Sequence, residues 1–320
     1  MSIRFEKRFS PAVRKLRTKL EGPERILFEV LTAAGQLGYR LPDDDIKLRA
    51  ASGRKDPRRR LGVEFRAVRR AHDFSRRKIW KKAGDRLVRR LLKQLSVKDL
   101  AEEDRLLRVL LAYASIVVAP DCAVPKDPLW RLVWDISVNL FARIFPSGVS
   151  LLGPLDCVQS RLSALRRETR AGLKIGRLAS GKTPGPEGRN LAVDPALISS
   201  VGRALGKRLA PGYMARFLFY TKPGDHIWPH PDDPKFDATV LACVRHDLPP
   251  DGSTASAFVA YSRDGKCTRY PLAPGSVLAL EPGLIHAREP VKPGERVVLL
   301  SIGLVRQKRR GRSTVTKPAR

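Results

Sequence analysis

From Met214 to Leu304 the chain breaks into short apolar and β-branched runs. They read MARFLFY, ATVLACV, SAFVAYS, SVLALE and RVVLLSIGLV. Pro223-Gly224, Asp251-Gly252, Asp264-Gly265, Pro274-Gly275 and Pro293-Gly294 punctuate them. Pro and Gly at this density stop helices, and short strands between turn dipeptides specify an all-β sandwich or barrel. Hydrophobic residues make up 42% of the 320 residues, enough to fill such a core and to exclude wholesale disorder.

The first 145 or so residues have a different texture. Ser10-Pro11 reads as a helix start, a cap followed by Pro at the first helical position. Pro23 offers a second start and Gly38 a stop. Phe65, Val68, Ile79, Leu87, Leu91 and Leu95 form an apolar stripe at helical spacing, with Gly84 as a possible interruption. Asp99–Val118 reads as a further helix. Trp130, Trp134 and Val138 lie a turn apart on another, where core packing is the expected role. Asp194-Pro195 starts a helix expected to run to about Leu209. The longest apolar stretch, Val109–Ala119, is far short of the ~20 residues of a membrane span. The charged N-terminus lacks the apolar run of a signal peptide, and the four scattered cysteines read as free thiols, so an intracellular location is expected, cytoplasmic or nuclear.

Charge is lopsided: 62 Lys and Arg face 32 Asp and Glu, and +16 of the +30 balance falls in residues 1–110. Arg54–Lys93 alone carries 17 basic and 4 acidic groups. Such a field attracts polyanions, so nucleic acid is a candidate partner, with a solvated helical face as the plainer alternative. The tail from Arg306 has seven basic residues and no acid, and is expected to be disordered.

Gly176–Thr183, GRLASGKT, fits the phosphate-loop pattern. That motif works only where a buried strand precedes it and a helix opens directly after it. Pro184-Gly185-Pro186 follows instead, so the motif is rejected.

The chemistry is carried by histidines. The chain has five, and four of them (His226, His230, His246 and His286) lie in the strand-rich part. His230 and Asp232 form H-x-D, whose i, i+2 spacing presents both side chains on one strand face. His286 follows 54 residues after Asp232, just past a strand and a turn. Two imidazoles and one carboxylate on one face of a metal are the facial triad of non-haem Fe(II) oxygenases. Arg296, ten residues further on, could hold a carboxylate through two parallel hydrogen bonds. Tyr220, ten residues before His230, could aim its hydroxyl at the same group.

Residues 213–304 thus resemble the core of the Fe(II)/2-oxoglutarate-dependent dioxygenases, in a prolyl-hydroxylase-like form. The resemblance rests on Tyr220, Gly224, His230, Asp232, His286 and Arg296. It implies that His230, Asp232 and His286 are catalytic and ligate Fe(II). It also implies that 2-oxoglutarate chelates the metal while Arg296 and Tyr220 bind its far carboxylate. O2 then reacts, releasing succinate and CO2 and hydroxylating a C–H bond. On strand alternation, Val240, Ala242, Val244 and His246 share a face, which makes His246 a further candidate for the 2-oxoglutarate pocket. His226 is placed at the mouth of the site, and Arg288 faces either substrate or solvent. Asp232 favours hydroxylation over halogenation, whose enzymes in that superfamily replace the carboxylate. The demethylase pattern, a second Arg shortly after the first, is not met.

The expected fold is α+β: a double-stranded β-helix of the jelly-roll or cupin-like kind with a helical, strongly basic N-terminal region. The expected divisions are a basic helical region at 1–150, a dioxygenase domain at 151–305 with its core at 213–304, and a tail at 306–320. The substrate is expected to be an amino-acid or peptidyl side chain or a small biosynthetic molecule. The alternatives are a nucleic-acid-associated oxygenase of the demethylase type, a polyanion-binding protein without enzymatic activity, and a cupin-like binding domain without iron chemistry.

Overall fold

The computed structural model describes residues 11–39, 68, 70–94, 126, 128–170, 180–232, 235–262 and 266–307. The punctuated half folds as strands because each run is stopped by a turn before a helix can nucleate. These strands are β3 (Leu209–Tyr220), β4 (Ile227–His230), β5 (Ala238–Asp247), β6 (Phe258–Tyr261), β7 (Cys267–Tyr270), β8 (Ser276–Leu280), β9 (Ile285–Arg288) and β10 (Arg296–Arg306). Two earlier strands, β1 (Val149–Pro154) and β2 (Ser180–Lys182), are added at the edges. One sheet has the order β1-β8-β5-β10-β3-β2 and the other β4-β9-β6-β7. All pairs are antiparallel. From β3 onward the chain winds back and forth between the sheets, which is the topology of a double-stranded β-helix.

Alternation along the strands sorts side chains into three cores. Tyr220, Leu241, Cys243, Phe258, Leu278 and Leu299 fill the space between the sheets. The outer face of the six-stranded sheet, through residues such as Phe217, Val240, Val244 and Val298, packs against helices from the middle of the chain. These are α5 (Asp156–Gln159), α6 (Leu162–Arg170), α7 (Pro186–Ala192) and α8 (Pro195–Leu205). The Asp194 side chain accepts hydrogen bonds from the Ala196 and Leu197 amides and caps α8. The helix stops before the expected Leu209 because Gly206, at φ 63°, ends it in the left-handed conformation, and Leu209 already belongs to β3.

The outer face of the four-stranded sheet is covered by the N-terminal helices. They are α1 (Pro11–Thr18), α2 (Gly22–Tyr39), α3 (Arg77–Gln94) and α4 (Pro128–Ile144). Val259, Tyr261, Ile285 and Ala287 join Leu27, Trp80, Leu87 and Trp134 in one core. The Trp134 indole meets the Tyr261 ring edge-on at 4.7 Å. Val138 is buried beside it, as expected. On α3 the buried stripe is Trp80, Ala83, Leu87 and Leu91, whereas Ile79 is half exposed, one residue off the face. Gly84 does not interrupt the helix. A methyl group there would lie 3.1 Å from Ile136 on α4, so glycine permits the two helices to approach.

Among the basic groups of α3, Arg86 and Arg90 converge on the buried Glu24 of α2, at 2.5 and 3.0 Å. Residues 54–67 and 69 of the basic stretch, the expected helix at 99–118 and the tail from 308 lie outside the described residues. Among the described residues no helix is long and apolar enough to cross a membrane. Cys157, Cys243 and Cys267 are free thiols. Ser180, Gly181 and Lys182 of the rejected phosphate loop pair with β3 as a strand, which removes the helix that motif requires.

Candidate metal centre and the charged interior

The turn from β3 into β4 is built by Asp225, whose carboxylate accepts the amides of Thr221 and Lys222 at 2.9 and 2.8 Å. Gly224, at φ 86°, completes it. This sets β4 against β9 with His230 directly opposite His286. The two rings lie 4.5 Å apart. Asp232, two residues past His230, turns the same way, and its Oδ1 is 3.7 Å from His286 Nε2, too long for a hydrogen bond. One ligand atom from each of His230, Asp232 and His286 lies within 4.8 Å of the others.

The environment suits a cation. Asp232 Oδ2 is buried and has no hydrogen-bond partner among the described residues. A carboxylate oxygen withdrawn from water without a donor is costly unless a positive charge stands beside it. His286 Nδ1 donates to the Leu284 carbonyl at 3.1 Å, which leaves the Nε2 lone pair directed at the cluster. The Phe258 ring stacks on His286 at 5.1 Å and shields it. Two imidazoles and one carboxylate with open positions fit Fe(II).

The other expected site residues are arranged differently. Tyr220 is buried between the sheets, as its strand position suggested. Arg296 is exposed. It shares a face of β10 with Val298 and Leu300, which point to the outer helices, so its assignment to the carboxylate pocket is corrected. The guanidinium inside the barrel is that of Arg288, which is 1% exposed. Two residues from His286 on β9, it lies on the same face, opposite Phe258. Its Cζ is 6.0 Å from the Tyr220 ring centroid, and its Nη2 donates to Ser256 Oγ at 2.7 Å. Burial pushes its pKa down from the usual arginine value, against the pull of Tyr220, Glu295, Cys243 and Glu289.

His246 also departs from expectation. A bulge sets in between Val298 and Leu299, whose partners are Arg245 and Cys243, so Val244 is the extra residue. Val240, Ala242 and Val244 face the outer helices, but the bulge reverses the alternation and turns His246 inward. Both its ring nitrogens are engaged by the protein: Nδ1 by the Leu272 carbonyl at 2.9 Å and Nε2 by Glu295 Oε1 at 2.8 Å. It therefore does not reach a co-substrate directly, which corrects its placement among the binding residues.

Glu295 was not a candidate from the sequence, yet it is the hub of this interior. Its Oε1 accepts from the Ser256 amide and hydroxyl as well as His246, and its Oε2 accepts the Lys292 amide. Burial would raise its pKa, but these hydrogen bonds outweigh it and hold the carboxyl below the ordinary value. The one sequence signal was its place next to Arg296 at a strand start, where a single step of alternation decides which of the two points inward. Cys243, fully buried nearby, has its thiol pushed up to about 12 by burial and stays protonated. His226 stands apart from the metal cluster, partly exposed before β4, with Nδ1 on the Gly224 carbonyl.

No family model matches the chain, and no curated protein matches it. Solved structures do. A Pseudomonas putida prolyl-4-hydroxylase aligns at 18% identity and TM-score 0.38, over 53% of this chain and 97% of that one. The non-heme alpha ketoglutarate dependent carbocyclase SnoK from nogalamycin biosynthesis aligns at 14% and 0.41, over 52% and 82%. HygX from Streptomyces hygroscopicus, solved with nickel and 2-oxoglutarate, aligns at 15% and 0.39, over 50% and 83%.

Proposed function

We propose that this protein is an Fe(II)- and 2-oxoglutarate-dependent dioxygenase that hydroxylates an unactivated C–H bond of an organic substrate. The observation that carries this reading is the buried, donorless Asp232 Oδ2 in a three-residue cluster with His230 and His286. His230 Nε2 or Nδ1, an Asp232 oxygen and His286 Nε2 would hold the metal. Fe(II) bound there supplies O2 activation coupled to decarboxylation of a 2-oxo acid. The overall change balances: 2-oxoglutarate, O2 and R–H become succinate, CO2 and R–OH.

The chain's own residues have defined tasks in this scheme. The Leu284 carbonyl fixes the His286 tautomer. Phe258, Leu241 and Leu299 keep the inner space apolar and exclude bulk water. The buried cation between the sheets suits an acid as co-substrate. The substrate class that accords with the reading is an amino-acid or peptidyl side chain or a small biosynthetic molecule.

The test is an anaerobic titration with Fe(II) and 2-oxoglutarate. A 2-oxo acid chelated to facial-triad iron gives a weak visible band near ~500 nm. That band is expected in the wild-type chain and absent from Asp232→Ala. A folded wild-type protein that binds Fe(II) without developing the band would refute the co-substrate reading. One that binds no Fe(II) would refute the metal site itself.

A further inference from the structure

We propose that the substrate to be oxidised carries an oxyanion, a carboxylate or a phosphate, and that Arg216 on β3 receives it at the open end of the barrel, with Ser301 of β10 beside it. This rests on the reading of the metal centre given above.

Arg216 is on the inner face. Along β3, Ala215, Phe217 and Phe219 pack against the outer helices, whereas Leu218 and Tyr220 belong to the core between the sheets. Alternation puts Arg216 on the side of Leu218 and Tyr220. The pairing agrees: Arg216 lies opposite Ser301, and Ser301 opposite Leu241, a residue of the same inner core. Ser301 and Leu241 are buried, yet Arg216 is exposed. An inner-face residue that water reaches marks the end at which the barrel is open.

That end is also where the metal ligands stand. The turn from β3 into β4 closes the opposite end, where Tyr220, Arg288 and Ile227 share one level. From there β9 steps back to His286, and β4 runs forward to His230, its last residue, with Asp232 just beyond. Two residues of a strand span about 7 Å. Leu218 is therefore level with the two histidines, and Arg216 is one step further out, as Asp232 is. Sheets packed face to face lie about 10 Å apart, so the guanidinium on one wall and the ligand cluster on the other flank a gap of substrate size.

The polar groups of that wall are unspent. Among the described residues the Arg216 guanidinium has no ion-pair or hydrogen-bond partner, and neither has the Ser301 hydroxyl. Lys207, at the same end, is by contrast already held by Glu281 Oε1 at 2.5 Å. A free guanidinium beside a hydroxyl donates parallel charge-assisted hydrogen bonds to an oxyanion. The rim next to it is aromatic. Phe236, four residues past Asp232, lies buried on the backbone of Gly303, where any side chain would collide with its ring. The Tyr213 ring stacks on Phe236 at 4.9 Å and is itself 72% exposed. An exposed ring three residues from an unpaired cation suits an organic acid with an apolar body.

The full chain, loaded anaerobically with Mn(II) and 2-oxoglutarate, would be mixed with phenylacetate, phenyl phosphate or the uncharged phenylacetamide. The enhancement of probe proton relaxation by the bound Mn(II) reports binding close to the metal. At least one of the two acids is expected to bind about tenfold more tightly than the amide, the worth of a hydrogen bond to a charged group. The tighter acid identifies the oxyanion as carboxylate or phosphate. Arg216→Gln should abolish this preference and leave the affinities for Mn(II) and 2-oxoglutarate unchanged. Arg216→Lys should keep part of the preference, and Arg296→Gln, on the outer face, should match wild type. A wild-type chain without the preference, or a preference that survives Arg216→Gln, would overturn the proposal. Loss of Mn(II) uptake in Arg216→Gln would assign that residue a structural role and overturn it too. A wild-type chain that takes up no Mn(II), or Mn(II) without 2-oxoglutarate, would remove the underlying reading, and this proposal with it. Uptake of both without a preference for acids would remove this proposal alone.

Discussion

Glu295 shows how much a single carboxylate can organise. It sits between the His246 ring, the Arg288 guanidinium and two backbone amides, with no exposure of its side chain. Its pKa is depressed in the folded protein, so folding is favoured by its ionised form. That contribution is fully present above the ordinary glutamate value of 4.5 and is lost as pH falls through the lower folded value. Urea midpoints measured from pH 7 to pH 3 should therefore fall more steeply for wild type than for Glu295→Gln. Parallel curves for the two proteins would show that Glu295 carries no such linkage. Asp232 makes the contrasting case: its buried Oδ2 has no donor among the described residues, which is a cost to the fold that a bound cation would relieve.

Two elements set the geometry at the scale above. The bulge in β5 is one extra residue, Val244, and it decides that His246 faces the interior. The α3–α4 pair is set by Gly84, which brings the two helices close enough for Ile136 to pack on its backbone. Gly84→Val would insert branched carbons into that contact. Overpacking of this kind costs about 1–3 kcal/mol, which outweighs the gain in helix propensity. A lowered thermal midpoint would check this, and an unchanged or raised one would mean the helices can separate freely. The ligand strands β4 and β9 are only four residues each. Segments that short carry too little periodicity to be read from sequence, although the residues on them that matter were legible through H-x-D and its distant partner.

For the molecule as a whole, the double-stranded β-helix is enclosed on both outer faces. Helices α5–α8 cover the larger sheet and α1–α4 the smaller, so β4 and β9, which carry His230 and His286, belong to the sheet that the N-terminal helices back. Trp134 is the largest fully buried side chain among the described residues and joins that helical layer to Tyr261. Trp134→Ala should cost about 3–5 kcal/mol through lost burial and the cavity left behind. Thermal unfolding should show a single transition at lower temperature if layer and barrel unfold together. A split transition would show that the helices unfold independently of the barrel.

The sequence by itself determined the strand-rich fold, helices among the described residues ahead of it and the His230–Asp232–His286 grouping. Each of these depends on local signals: turn dipeptides, helical periodicity and side chains two residues apart on one strand. It did not determine which arginine enters the barrel, or that Glu295 and His246 stand behind it. Arg288, Glu295 and Arg296 all lie near strand ends, where one bulge or one step of alternation reverses the face a side chain takes. Strand pairing across the sheets fixed that parity, with β5 against β10 and β9 against β6. Only the tertiary structure decided it, because register is a relation between segments and no single segment contains it.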